Sequence, residues 1–184
     1  MLVFTEGERT EDDYLVHWRR RYRDNVLVNI DPFHGVPMSL VDRAATVKRE
    51  EAREQRRGRG RAHDEIWCVF DRDLHPNLPA AIDRAAANGI SVVLSNPCIE
   101  LWFILHFADQ AAHLERDEAQ RRSRDLLGCD KALTAKALES LVDLHPAAMS
   151  RAQALDAKHR DDGSPPRSNP SSNMWELIDR FQGK

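Results

Sequence analysis

Three carboxylates occupy the points at which apolar segments of the sequence end. Glu6 follows the apolar run 2–5, and Asp71 and Asp73 follow the run 65–70. Residues i and i+2 lie on one side of an extended chain, so Asp71 and Asp73 are expected to face the same crevice. Carboxylates that converge repel one another unless a cation lies between them, and Mg²⁺ and Mn²⁺ prefer such oxygen ligands. The pattern predicts a metal site that activates water for phosphodiester cleavage.

The alternative for these acids is that they are solvated residues of turns. A lone Asp-x-Asp pair favours that interpretation, because aspartate is common in turns. Its combination with Glu6-Gly7 after an earlier apolar run is more specific and favours a site.

Glu100 and Lys131 are further candidates for catalysis. Glu100 is predicted in the first turn of an apolar helix, either as a second metal ligand or as a carboxylate that the helix dipole stabilises. Lys131 is a candidate to neutralise a phosphate in the transition state, with a solvated surface lysine as the alternative. His34 follows a predicted strand and is a weaker candidate, whereas His106 is expected to be a histidine of the core.

A cationic segment precedes the run that carries Asp71. Residues 43–61 hold eight basic residues against three acidic ones, although the whole chain of 184 residues has a net charge of −3. The end of this segment is an arginine- and glycine-rich loop, and it is predicted to bind the backbone of DNA or RNA near the metal. Its four arginines are Arg56, Arg57, Arg59 and Arg61. The alternative for the segment is a solvated helix face with paired charges.

The elements that must position these residues alternate along the chain. Apolar runs that predict strands are each followed by a segment with the period of a helix, which predicts a parallel α/β sheet with helices on both faces. Functional groups collect at the carboxyl ends of the strands in such sheets. The predicted strands are 2–5, 26–30, 65–70 and 90–94, and helices are predicted at 132–144 and 149–159 after them. Residues 1–110 are predicted to form the α/β core, and residues 111–184 a helical extension packed on it.

Composition excludes several classes of protein. The near-neutral total charge excludes a histone-like nucleic-acid binder, and no apolar run approaches the ~20 residues of a membrane span. Three cysteines without a CxxC pair indicate a reducing compartment. No signal peptide is predicted, so the expected location is the cytoplasm. The absence of a GxxxxGK[ST] motif argues against ATP hydrolysis by a P-loop.

Four motifs resemble those of the RloB family, and together they span nearly the whole chain. They are Leu2-Val3-Phe4-Thr5-Glu6-Gly7 with Thr10-Glu11, Val69-Phe70-Asp71-Arg72-Asp73, the stretch from Ser95-Asn96-Pro97 to His106-Phe107, and Asn169-Pro170-Ser171-Ser172-Asn173. The resemblance implies a Toprim-like nuclease fold, with Glu6 as metal ligand or general base and Asp71 and Asp73 as metal ligands. The sequence departs from Toprim sites at His75, because those sites often have a further acid at this position. The resemblance also implies a role in bacterial anti-phage defence, with an ATPase as a partner.

The residues and the resemblance together predict a nuclease that depends on Mg²⁺ or Mn²⁺ and acts on DNA or RNA. One alternative is a non-catalytic subunit that keeps a Toprim-like fold and binds nucleic acid or the ATPase. Another is an enzyme that transfers a phosphoryl group to or from a nucleotide.

Overall fold

Five strands form one sheet in the computed structural model, which describes residues 1–72, 75 and 77–183. The first four strands are parallel to their neighbours, and the fifth is antiparallel to the fourth. The strands are β1 (Leu2–Thr5), β2 (Asn29–Ile30), β3 (Ile66–Asp71), β4 (Ser91–Asn96) and β5 (Ser171–Ser172), in the spatial order β2-β1-β3-β4-β5. The predicted α/β class with a mainly parallel sheet is therefore confirmed.

Eight helices accompany the sheet in the described part of the chain. They are α1 (Thr10–Arg21), α2 (Pro37–Arg56), α3 (Leu78–Ala87), α4 (Ile99–Phe107), α5 (Arg116–Leu127), α6 (Ala135–Asp143), α7 (His145–Asp161) and α8 (Met174–Phe181). None of the described helices combines the length and the hydropathy that a membrane span requires.

The sheet is buried on both faces because successive residues of each strand point in opposite directions. Phe4, Cys68 and Phe70 belong to a core with α2 and α3, whereas Val3 and Val69 belong to a larger core with α1, α4, α7 and α8. Strands covered on both sides read as continuous apolar runs, which is why β1 and β3 stand out in the sequence.

One strand and two helices have bounds that differ from the predictions. The strand predicted at 26–30 is reduced to residues 29–30, and Leu27, which precedes it, is 77% exposed. The helix predicted at 132–144 begins only at residue 135, after Thr134 accepts a capping hydrogen bond from the Ala137 amide. The helix predicted at 149–159 extends over residues 145–161.

The fifth strand lies in the region that was predicted to be a helical extension, and it carries no apolar run in the sequence. Asn173 explains how so short a strand is held, because its side chain continues the pairing. Its Oδ1 accepts from the Leu94 amide at 2.8 Å, and its Nδ2 donates to the Val92 carbonyl at 2.9 Å. The side chain of Asn169 likewise accepts from the Leu114 amide and donates to the Leu114 carbonyl, at 2.9 Å each. The segment after residue 110 therefore supplies a strand to the sheet as well as helices.

Candidate active site at the carboxyl edge of the sheet

Glu6 and Asp71 meet because β1 and β3 are neighbouring parallel strands. Thr5 pairs in register with Val69, and the Glu6 amide donates to the Val69 carbonyl at 3.0 Å. Asp71 is the last residue of β3, and its amide donates to Glu6 Oε2 at 3.2 Å. The structure thus brings together the two acids that end separate apolar runs. Asp73, the third predicted acid, lies outside the described residues.

His75 lies beside Glu6, at the place where the family resemblance departs from an acid. Its Nε2 is 2.8 Å from Glu6 Oε1, and about a fifth of each side chain is exposed. Both oxygens of Glu6 are thus engaged, one by the imidazole and one by the Asp71 amide. Each oxygen still has a lone pair available, because a carboxylate can accept about four hydrogen bonds or metal contacts.

A cavity of about 350 Å³ opens at this edge of the sheet. Five carboxylates line it, and three cations lie on its walls with them. The acids are Glu6, Glu8, Glu11, Asp71 and Glu100, and the cations are Arg9, Arg116 and Lys131. Four of the residues predicted from the sequence, Glu6, Asp71, Glu100 and Lys131, therefore share one cavity.

Glu11 is a buried carboxylate of the cavity that the sequence did not single out as a site residue. It lies in the first turn of α1 and is only 7% exposed. Its carboxylate rests against Gly7, where an added Cβ atom would be 2.2 Å from Glu11 Oε2. Gly7 was the signal in the sequence that could have pointed to Glu11. A glycine at this position leaves the space that the buried carboxylate occupies.

Two of these carboxylates, Glu11 and Asp71, have a raised pKa. Burial, followed by the charges of Glu100 and Glu6, raises the pKa of Glu11 to about 7. Burial, followed by the charges of Glu11, Glu100 and Glu6, raises the pKa of Asp71 well above its usual value. Full ionisation of this cluster is therefore unfavourable without a cation.

This donor set fits a hard divalent cation in its chemistry, because it offers carboxylate oxygens whose mutual repulsion a cation relieves. Within the described residues, no three histidine, cysteine or acidic side chains stand ready-made as metal ligands. The candidate ligands are the cavity residues Glu6, Glu11, Asp71 and Glu100. Asp73 is a further candidate that the sequence predicts.

Two of the cationic residues in the cavity were not predicted. Arg9 precedes α1, and Arg116 is the first residue of α5. In the described part of the chain, Arg9 and Lys131 form no ion pair with another side chain, so both are available to an anion. The Thr10 hydroxyl donates to the Lys131 carbonyl at 3.1 Å, which holds the lysine against the start of α1.

The arginine-rich loop lies elsewhere. It follows α2 and leads into the amino end of β3, whereas Asp71 closes the carboxyl end of that strand. Arg57 and Arg59 pair with Glu54 at 3.0 and 3.4 Å. The described residues that line the cavity include none of the four arginines, Arg56, Arg57, Arg59 and Arg61. The expected proximity of this loop to the acids is not observed, because adjacency to a strand in sequence does not specify which end of the strand it meets.

The two histidines considered from the sequence are outside the lining of the cavity. His34 lies between Thr5 and Asp12, with Nδ1 3.3 Å from Thr5 Oγ1 and Nε2 3.8 Å from Asp12 Oδ2. His106 is 1% exposed and its Nδ1 donates to the Trp102 carbonyl at 2.8 Å. Burial lowers the pKa of His106 to about 3. It is the neutral core histidine that was predicted.

Comparison with known proteins gives one match. The model of a family described as RloB-like protein matches residues 1–181 of the chain. Searches of curated proteins and of solved structures found no match. The match extends from β1 through α8 and so includes all of the residues that line the cavity.

Proposed function

The chain belongs to the RloB-like family, and on that premise we propose that it is a divalent-metal-dependent nuclease with a Toprim-like core. The observation that carries the proposal is the composition of one cavity, in which five carboxylates and three cations meet at the carboxyl edge of a parallel sheet. A phosphodiester substrate requires both kinds of group, since the acids hold the metal and the cations hold the phosphate.

Glu6, Glu11, Asp71 and Glu100 would hold Mg²⁺ or Mn²⁺, with Asp73 as a further ligand. When bound, the metal supplies polarisation of the scissile phosphate and a lowered pKa for the attacking water. Arg9, Arg116 and Lys131 bind the phosphate oxygens and balance the charge that develops on them.

The Glu6–His75 pair is suited to accept a proton. The imidazole is fixed by its 2.8 Å contact with Glu6, so its orientation does not depend on substrate. A proton released by the attacking water can be held by this pair. Histidine is effective in this role because its ordinary pKa is close to neutral pH.

The family resemblance also supports the biological setting that we propose. It is bacterial anti-phage defence in the cytoplasm, with an ATPase as the partner protein. The chain carries no P-loop motif, so nucleotide hydrolysis would be supplied by that partner.

A second candidate function is a non-catalytic subunit that binds nucleic acid or the ATPase. The observation in its favour is that no ready-made metal-ligand arrangement occurs among the described residues. In such a subunit, the raised pKa of Glu11 would leave the cavity partly protonated and nearer to neutral.

The test is cleavage by the purified chain. DNA and RNA, single-stranded and duplex, are incubated with Mg²⁺, Mn²⁺ or EDTA, with and without a candidate partner ATPase. We expect cleavage that requires metal and that Asp71→Asn abolishes while the circular dichroism spectrum is unchanged. Binding without cleavage under every condition would favour the non-catalytic subunit instead.

A further inference from the structure

A second recess adjoins the carboxylate cavity and runs along α5. The two share Thr10, Glu100, Gln120 and Lys131, so they are continuous. The recess has a volume of about 60 Å³ and leads away from the acids. Its remaining wall is formed by Phe103, Ser123, Arg124, Leu127, Cys129, Asp130 and Leu133.

The chemistry of the wall changes along this path. The cavity is dominated by carboxylates, whereas the recess combines the cations Arg124 and Lys131 with the partly exposed apolar side chains Leu127 and Leu133. Asp130 is the acid added there, and Arg124 lies 3.9 Å from it. A nucleic-acid strand presents the matching groups, since phosphates alternate with the apolar faces of sugars and bases.

The apolar side chains of the recess favour a strand whose bases are not paired. In a duplex the base faces stack on one another, so a duplex presents phosphates but no base faces to Leu127 and Leu133. The cavity of about 350 Å³ lies at the lower end of the range for small-molecule sites, about 300–1,000 Å³, and a phosphate with its nucleotide can enter it.

We propose that the recess along α5 is the track on which a single-stranded nucleic acid reaches the carboxylate cavity, with Arg124 and Lys131 as its phosphate contacts. The inference rests on the proposed function and deepens it by naming the form of the substrate and the surface that binds it.

The arginine-rich loop provides a matched control for this surface. It adjoins the amino end of β3, and the steps from Ile66 to Asp71 along that strand, at about 3.3 Å each, span about 17 Å. Arg57 is 61% exposed and pairs with Glu54, while Arg124 is 53% exposed and pairs with Asp130. Arg57→Gln and Arg124→Gln therefore remove the same charge from similar surroundings.

Cys129 gives a readout that does not depend on cleavage. It is partly exposed in the recess, whereas Cys68 and Cys98 are buried. Alkylation of Cys129 by a maleimide is followed by peptide mass spectrometry in EDTA, with and without single-stranded DNA or RNA or a duplex of the same sequence. We expect a single strand of at least one type to slow alkylation at least threefold, and the duplex to have no effect.

Affinity measurements complete the test. We expect Arg124→Gln to weaken single-strand binding about three- to tenfold and to reduce its salt dependence by about one released ion. Arg57→Gln should change the affinity less than twofold. Circular dichroism of both variants shows that they remain folded.

The outcomes separate this proposal from the proposed function. Unchanged alkylation of Cys129 on saturation with single strand, or a larger effect of Arg57→Gln than of Arg124→Gln, overturns the track even if the protein cleaves. Protection of Cys129 without cleavage in any metal supports the track and contradicts the nuclease.

Discussion

The Nε2 atom of His75 lies 2.8 Å from Oε1 of Glu6, which connects the segment after β3 to the residue after β1. The other oxygen of Glu6 accepts the amide of Asp71 at 3.2 Å. One carboxylate thus holds both the imidazole and the end of the strand that carries the neighbouring acid. We infer that Glu6 organises the site as well as contributing charge to it.

The contact between His75 and Glu6 predicts that His75→Ala slows cleavage about 10- to 100-fold, because residues that orient metal ligands typically have effects of this size. The cost in stability should be only about 1 kcal/mol, since both side chains are partly exposed. His113→Ala is the control, because His113 pairs with Glu115 at 2.9 Å on the exposed surface. Equal loss of cleavage in both variants would contradict the role of His75.

The raised pKa of Glu11 predicts a stability that falls as the pH rises. The folded state holds the proton up to about pH 7, whereas the unfolded state releases it near 4.5. The folded state therefore binds more protons between these values, and its contribution is lost as the pH rises through that window. Glu11→Gln removes this dependence and should stabilise the metal-free protein at pH 8 by roughly 3 kcal/mol relative to wild type.

Urea unfolding in EDTA at pH 5 and pH 8 measures this difference. Asp162→Asn is a control, because Asp162 is an acid outside the cavity that pairs with Lys158. If Glu11→Gln were no more stabilising at pH 8 than at pH 5, the carboxylate would not be protonated in the folded state.

Metal should reverse the destabilisation at high pH. In 10 mM Mg²⁺ or Mn²⁺ at pH 8, we expect the melting temperature of the wild type to rise. The free energy of unfolding should increase by about 2.7 kcal/mol when the metal concentration is a hundred times its dissociation constant. Asp71→Asn should show a smaller rise, because it removes one ligand and part of the repulsion. A metal-independent melting temperature in the wild type would argue against the proposed metal site.

The contact between Gly7 and Glu11 predicts that Gly7→Ala damages the site. The added Cβ would lie 2.2 Å from Glu11 Oε2, so the buried carboxylate must move. We expect a loss of about 1–3 kcal/mol in stability, typical of overpacking, and a weaker response of the melting temperature to metal. Gly35→Ala is the control, since its nearest neighbours would be at an ordinary 3.5 Å. Glu11→Ala in the Gly7→Ala background should restore stability, and failure to do so would contradict the steric explanation.

The sequence was sufficient to predict the central strands and the meeting of Glu6 with Asp71. Buried parallel strands are recognisable as apolar runs, and the carboxyl ends of neighbouring parallel strands necessarily share an edge. The place of Glu100 near that edge followed from its position after β4.

Other parts of the site depend on packing that no local pattern encodes. Arg116 reaches the cavity because α5 packs on α4, and Glu11 does so because α1 lies with its first turn over Gly7. The pairing of β5 was also hidden, since two serines have no strand signal and are held by the side chain of Asn173. These contacts join residues far apart in sequence, so their geometry is decided by the whole fold.

The bonds from Asn173 to β4 have a consequence for shortened copies of the chain. A fragment that ends before residue 169 keeps Glu6, Asp71 and Glu100 but leaves β4 as a bare edge, and unprotected edges recruit other strands. Such fragments should aggregate rather than stay in solution. Residues 169–173 thus act as a safeguard, because they cover the edge of β4 against pairing with another molecule.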